Sequence, residues 1–179
     1  MNSSPNESWV GNITADEVRE VWNGQIRPIT AGLISPDVSP ATRQFLTEVG
    51  LPTTDVLNMS FAHDSRLSST VRREGGREYL VVTDDESNVV FAIDVKSDQV
   101  VDITRSLPNY PRFINSDVAA LVFFIGLLKK NVMGLEEVNE EILTDAVDSV
   151  RISMRDLDPA AMEGKPWNDL LDDLETQYE

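Results

Sequence analysis

Any chemistry in this chain would have to come from a short list of residues. Asp84, Asp85 and Glu86 stand in a row, and adjacent carboxylates can hold a metal ion or divide acid–base work between them. His63 is the single histidine and is followed by Asp64, half of the pairing that activates a nucleophile. The partners these groups would need are missing. The chain has no cysteine, no Gly-x-Ser-x-Gly elbow to present a serine, and no EF-hand spacing to gather the roughly 6–8 oxygens that calcium takes. One histidine excludes a multi-His metal site. Gly75-Gly76 lacks the Gly-Lys-Ser/Thr ending of a phosphate loop. Trp9, Trp22 and Trp167 read as core or interface anchors rather than ligand stackers. The expectation is a protein that is not an enzyme and carries no cofactor or metal, with Asp84, Asp85 and Glu86 on a solvated turn.

What the chain has in excess is negative charge. Among its 179 residues 31 are acidic and 15 basic, a formal charge of −16. An excess that large argues against direct binding to DNA, RNA or an anionic membrane, because like charges repel. It fits a basic protein partner, although acidity also serves solubility alone. The excess is concentrated: residues 136–179 hold 14 acidic and 3 basic side chains, a net charge of −11. Two acidic surfaces are therefore candidates for partner contact. One is Glu136, Glu137, Glu140 and Glu141; the other is Asp84, Asp85, Glu86 and Asp98, on turns between hydrophobic runs. The residues leave the choice between them open.

The elements that would carry these groups can be read from spacing and punctuation. Residues 1–12 are polar and turn-forming, a flexible lead-in to a single domain over 13–179. Thr14 and Glu17 form a capping box ahead of Val18, Val21 and Trp22, a short amphipathic helix. Residues 25–38 read as an extended connection. Ser39 and Pro40 open a second helix, which Gly50 and Pro52 close. Residues 59–61 form a short strand candidate, and 66–76 a polar loop or strand end. Residues 79–83, 89–93 and 99–103 are rich in β-branched and aromatic types and are separated by polar turns, an antiparallel meander. The middle run is apolar almost throughout, as a strand covered on both faces would be.

Asn115 or Ser116 is placed to cap a third helix running to about Lys130. Its eleven-residue apolar stretch, 118–128, is shorter than the roughly 20 residues a membrane span needs. A fourth helix over about 137–156 carries Val138, Ile142, Leu143, Ala146, Val150 and Met154 near one face. Asp158-Pro159 ends it, and a last helix begins near Pro166. The fold class is α+β, a central antiparallel meander sheet flanked by N- and C-terminal helices. The start of the chain shows neither a basic segment nor an apolar one, so a cytoplasmic protein is expected.

Four segments together resemble the SUKH superfamily, and its SUKH-4 branch most. They are Phe45-Leu-Thr-Glu-Val-Gly-Leu-Pro52, the meander over 79–103, Phe113-Ile-Asn-Ser-Asp-Val-Ala-Ala-Leu-Val-Phe123, and Asp158-Pro-Ala-Ala161 with Trp167, Leu170 and Leu171. Their order and spacing cover about residues 40–175. The resemblance implies a single α+β binding domain without catalytic residues. It implies a bacterial immunity protein that neutralises a cognate polymorphic toxin, often a nuclease or nucleic-acid deaminase, by binding it. The alternative that the resemblance leaves is an intracellular scaffold or regulator with no toxin partner.

Overall fold

A computed structural model describes residues 9–72, 74–84, 87, 89–104, 111–137 and 139–176. Helix α1 (Ala15–Trp22) opens as its capping box requires: Thr14 accepts the Glu17 N–H, and Glu17 reaches back to the Thr14 N–H at 2.8 Å. It buries Val18 and Trp22. A two-residue strand, β1 (Ile26–Arg27), follows. Helix α2 (Pro40–Glu48) has Ser39 as its cap and Pro40 in its first turn. It hands the chain at Gly50 to β2 (Leu51–Pro52), which pairs antiparallel with β1. Gly50 sits at φ +95°, where a Cβ would fall 1.8 Å from the Arg27 carbonyl oxygen, so no other residue fits this exit turn.

The sheet has five antiparallel strands in sequence order. They are β3 (Val71–Arg72), β4 (Glu78–Val81), β5 (Phe91–Asp94), β6 (Val100–Asp102) and β7 (Arg112–Asn115). Three of these are the meander read from sequence, and all four β5 residues are buried, as a strand covered on both faces must be. The two outer strands were not legible: β3 is only two residues long, and β7 joins β6 through an irregularity at Val100/Val101. The strand candidate at 59–61 is instead a pair of isolated bridges, Val56 to Met59 and Phe61 to Thr83.

Helix α3 (Val118–Asn131) is the hub of the core, with ten of its fourteen residues buried. Its cap is neither Asn115 nor Ser116 but Asp117, whose Oδ1 accepts the Ala120 N–H at 2.8 Å. The helix starts late because β7 claims Asn115, and Ser116 is engaged elsewhere. Trp22 of α1 donates to the Val122 carbonyl of α3 at 3.0 Å and lies against Gly126 of the same helix. Among the described residues no helix is long and apolar enough to cross a membrane.

Helix α4 (Glu140–Leu157) begins three residues later than expected, at an Asn139 cap. It buries Leu143, Val147, Val150 and Met154, a 4–3–4 spacing that turns Ile142 outward. Val138 lies outside the described residues. Asp158 ends α4 and caps α5 (Pro159–Glu163), and α6 (Lys165–Thr176) buries Trp167 and Leu171. Of the lead-in expected over 1–12, residues 1–8 lie outside the described residues. Trp9 packs edge-on against Phe45 at 5.1 Å, and Val10–Asn12 form a 3-10 turn.

Two of the segments that carried the family resemblance meet at Asp158, which is 1% exposed. Its Oδ2 accepts the Ser116 N–H at 2.8 Å and the Asn115 amide at 3.2 Å, while Oδ1 accepts the Ser116 hydroxyl at 2.7 Å. The Trp167 indole donates to the Ile114 carbonyl and to Asn115 Oδ1, both at 3.2 Å. This buried network joins the end of the sheet to the helices that carry the acidic residues.

Candidate functional site

The acidic C-terminal third folds as a packed pair of helices. Arg151 of α4, with an 18% exposed side chain, reaches Asp172 at 3.0 Å and Glu175 at 3.2 Å on α6, and Asp148 on its own helix at 3.8 Å. One cation thus gathers three carboxylates in the seam, which lets two acidic helices lie side by side. The acids outside the seam are left facing water. Glu140, Glu141, Asp145 and Asp156 of α4 and Asp169 and Asp173 of α6 are exposed and make no ion pair among the described residues. Glu136 and Glu137 are exposed in the turn before α4. Glu140 and Glu141 occupy the first turn of α4, where the positive end of the helix dipole favours them.

The outer face of α4 is not only acidic. Ile142 is 37% and Ile152 59% exposed, two of the few large hydrophobic side chains left open to water. At about 100° per residue, Ile142, Asp145, Ser149, Ile152 and Asp156 fall in one stripe along the helix. An apolar centre among unpaired carboxylates suits a surface that is apolar within a basic rim.

The second acidic candidate is divided. Successive turns of a meander lie at opposite ends of the sheet, so Asp84, after β4, and Asp98, before β6, are not neighbours. Asp85 and Glu86 lie outside the described residues. Asp84 lines a polar cleft of 450 Å³ with Asp55, His63, Asp64 and Arg66. Asp98 turns inward, its Oδ1 accepting the Thr42 hydroxyl at 3.0 Å.

His63 and Asp64 do not form a dyad. The His63 ring donates from Nε2 to the Pro52 carbonyl at 2.7 Å. Asp64 caps the turn Ser65–Ser68 and takes two hydrogen bonds from the Arg66 side chain and one from its backbone N–H. Those bonds hold its carboxyl down to about 2. Among the described residues no three His, Asp or Glu side chains converge as a metal site requires.

Sequence reading missed two further features. An apolar cleft of 190 Å³ runs between the sheet and α6, lined by Met59, Phe91, Ile114, Trp167 and Leu170, with the buried Asp102 beside it, paired at 3.2 Å to the partly exposed Arg112. A second cleft, of 210 Å³, lies at the start of α3. Both combine residues far apart in the chain, which no local spacing announces.

Comparison with known proteins gives one match. A family model described as SUKH-4 immunity protein matches residues 35–173, most of the chain. No curated protein and no solved structure matches.

Proposed function

Because this chain belongs to the SUKH-4 immunity protein family, whose members are typically non-enzymatic and neutralise toxins, we propose that it binds a basic toxin domain and blocks it stoichiometrically. A nuclease or nucleic-acid deaminase is the class favoured, because an enzyme that handles nucleic acid carries the cationic groove an acidic partner can cover. The observation that carries the reading is the outer face of α4: two exposed isoleucines set among carboxylates that make no ion pair among the described residues, with Arg155 the one exposed cation on the helix.

On this reading, Asp145 and Asp156 beside Ile142 and Ile152 form the centre of the contact. Glu136, Glu137, Glu140 and Glu141 extend it past the start of α4. Long-range attraction brings the partner in and orients it; burial of the isoleucines then holds it. Steering of this kind raises association rates by about 10- to 1,000-fold over neutral encounters at low salt. Neutralisation follows from coverage of the substrate groove, with no turnover required.

The test is a pull-down of the tagged chain with the product of the neighbouring gene, followed by titration of that product's activity. Recovery of a basic domain whose nuclease or deaminase activity ends at a one-to-one ratio supports the reading. Charge reversal at Asp145 and Asp156 should then slow association about tenfold at low salt and flatten its salt dependence. Association unchanged by these reversals eliminates the α4 face. Recovery of housekeeping proteins alone, with no toxin gene adjacent, eliminates the toxin and leaves a scaffold.

A further inference from the structure

The apolar cleft between the sheet and α6 has a floor and a rim of different kinds. Met59, Phe91, Ile114 and Trp167 form the floor, none of them more than 7% exposed. The rim is half-exposed, with Leu57 from the loop after β2 and Pro166 and Leu170 from α6. At 190 Å³ the cleft has room for one ring or one branched side chain, since a cavity of about 150 Å³ holds benzene. Pockets for free small molecules run to about 300–1,000 Å³, so the size suits a side chain better than a ligand in solution.

Leu57 stands at the rim against local preference. Val56 and Met59 exchange two hydrogen bonds, at 3.1 and 2.9 Å, around Leu57 and Asn58. Both of those residues have a left-handed backbone, φ +53° and +59°. Such a turn favours asparagine or glycine and strains a leucine; what leucine adds there is apolar surface at the cleft. The charge of the α6 rim is negative. Asp169 and Asp173 follow Pro166 and Leu170 by three residues each, which makes them neighbours on the helix surface. Both are exposed and make no ion pair among the described residues. Lys165, the one cation of α6, offsets at most one of them. The buried Asp102 is matched by Arg112, so that pair adds no net charge.

We propose that this cleft seats one apolar side chain of a basic protein partner, phenylalanine or leucine, whose neighbouring lysine or arginine residues meet Asp169 and Asp173. The apolar side chain lies on the four floor residues beside Leu57 and Leu170, as a buried anchor lies in its pocket. The cations stay at the solvated rim. The inference rests on the reading above that the partner is basic, and gives that partner a second point of attachment apart from the α4 face.

The experiment uses the full chain labelled with ¹³C at its five methionine methyl groups; Met59→Leu, which nearly conserves volume, identifies the resonance at issue. N-acetyl-Lys-Phe-Lys-amide is titrated in at constant ionic strength. N-acetyl-Lys-Ala-Lys-amide lacks the anchor, and N-acetyl-Glu-Phe-Glu-amide reverses the charge. The Met59 methyl should shift saturably with the first peptide, and the alanine peptide should bind at least about tenfold more weakly. The methyl of the exposed Met133 should stay in place. Asp169→Asn combined with Asp173→Asn should weaken the first peptide about threefold. Leu57→Asn suits the turn and should leave the chain folded by circular dichroism while weakening the peptide about threefold; a leucine that served packing alone would leave the peptide unaffected. A Met59 methyl that does not move, or that follows the alanine or the glutamate peptide as closely, overturns the proposal, as does a response that either variant leaves unchanged. The readout needs no toxin. A captured toxin with an unresponsive Met59 removes the cleft and leaves the immunity reading standing; a responsive Met59 with no toxin recovered does the reverse.

Discussion

Replacing Asp158 tests whether the buried network, rather than the hydrophobic core alone, holds the acidic helices to the sheet. In Asp158→Ala the cap of α5 is lost, worth about 1 kcal/mol, or somewhat less here because the Ala161 N–H lies 3.4 Å away. The Ser116 N–H and the Asn115 amide lose their acceptor. A buried donor left unpaired costs about 1–3 kcal/mol, while the half-buried Ser116 hydroxyl can turn to water. Together these give a loss of about 3–5 kcal/mol, a large part of the roughly 5–15 kcal/mol that holds a domain folded. Urea unfolding followed by tryptophan fluorescence and far-UV circular dichroism reads it directly. At a slope of about 2 kcal/mol/M the midpoint falls by about 2 M with the slope unchanged. Asp158→Asn, which keeps one acceptor but turns an N–H₂ toward existing donors, should lose about 1–3 kcal/mol and remain folded. In a double-mutant cycle Asp158→Asn and Ser116→Ala should couple by at least about 0.5 kcal/mol. A loss below about 1 kcal/mol for the alanine variant, or strict additivity in the cycle, would refute the reasoning.

Gly126→Ala should destabilise by about 1–3 kcal/mol, because the new Cβ would lie 2.6 Å from Val21 Cγ2 and 2.9 Å from Trp22 Nε1. The helix-propensity gain of about 1 kcal/mol does not offset that overlap; a urea midpoint equal to or above that of the native chain would count against it. Burial raises the Asp117 pKa above 3.8, so the folded chain binds this proton more tightly than the unfolded one. The contribution of Asp117 is therefore full below about 3.8 and is lost as pH rises through its folded pKa. Asp117→Asn should gain stability relative to the native chain between about pH 3.5 and about pH 7. Equal differences in urea unfolding at the two pH values would contradict this.

Legibility in the sequence followed the range of the interactions. The Thr14–Glu17 box, the Ser39-Pro40 start and the Gly50 exit are local, and each stands where spacing placed it. The three central strands were readable because cover on both faces leaves an almost unbroken apolar run. β7 was not, because it pairs with β6 through an irregular register and the claim of Asp158 on Ser116 comes from forty-two positions away. That same long-range claim moved the cap of α3 to Asp117. At the candidate site the acidic excess was visible, but its sorting was not. Composition does not show that Arg151 neutralises the seam, that Ile142 faces out, or that Asp98 turns toward Thr42 and away from Asp84.

That sorting separates the two meanings acidity can have. Unpaired carboxylates on α4 and α6 repel one another in the free protein, so they lower its stability whether or not they bind anything. Added salt should therefore stabilise the free chain by screening that repulsion. Neutralising Asp145, Asp156, Asp169 and Asp173 to asparagine should do the same and remove much of the salt response. If the acids serve solubility alone, association with the partner is indifferent to both treatments. If they steer, each gain in stability comes with slower association: the neutralised chain binds slowly even at low salt, and salt slows the native chain toward the same rate. Two of these acids, Asp145 and Asp156, share a stripe of α4 with the exposed Ile142 and Ile152, as a recognition surface requires. A neutralised variant that is more stable and associates as fast as the native chain would show that these acids only keep the protein in solution.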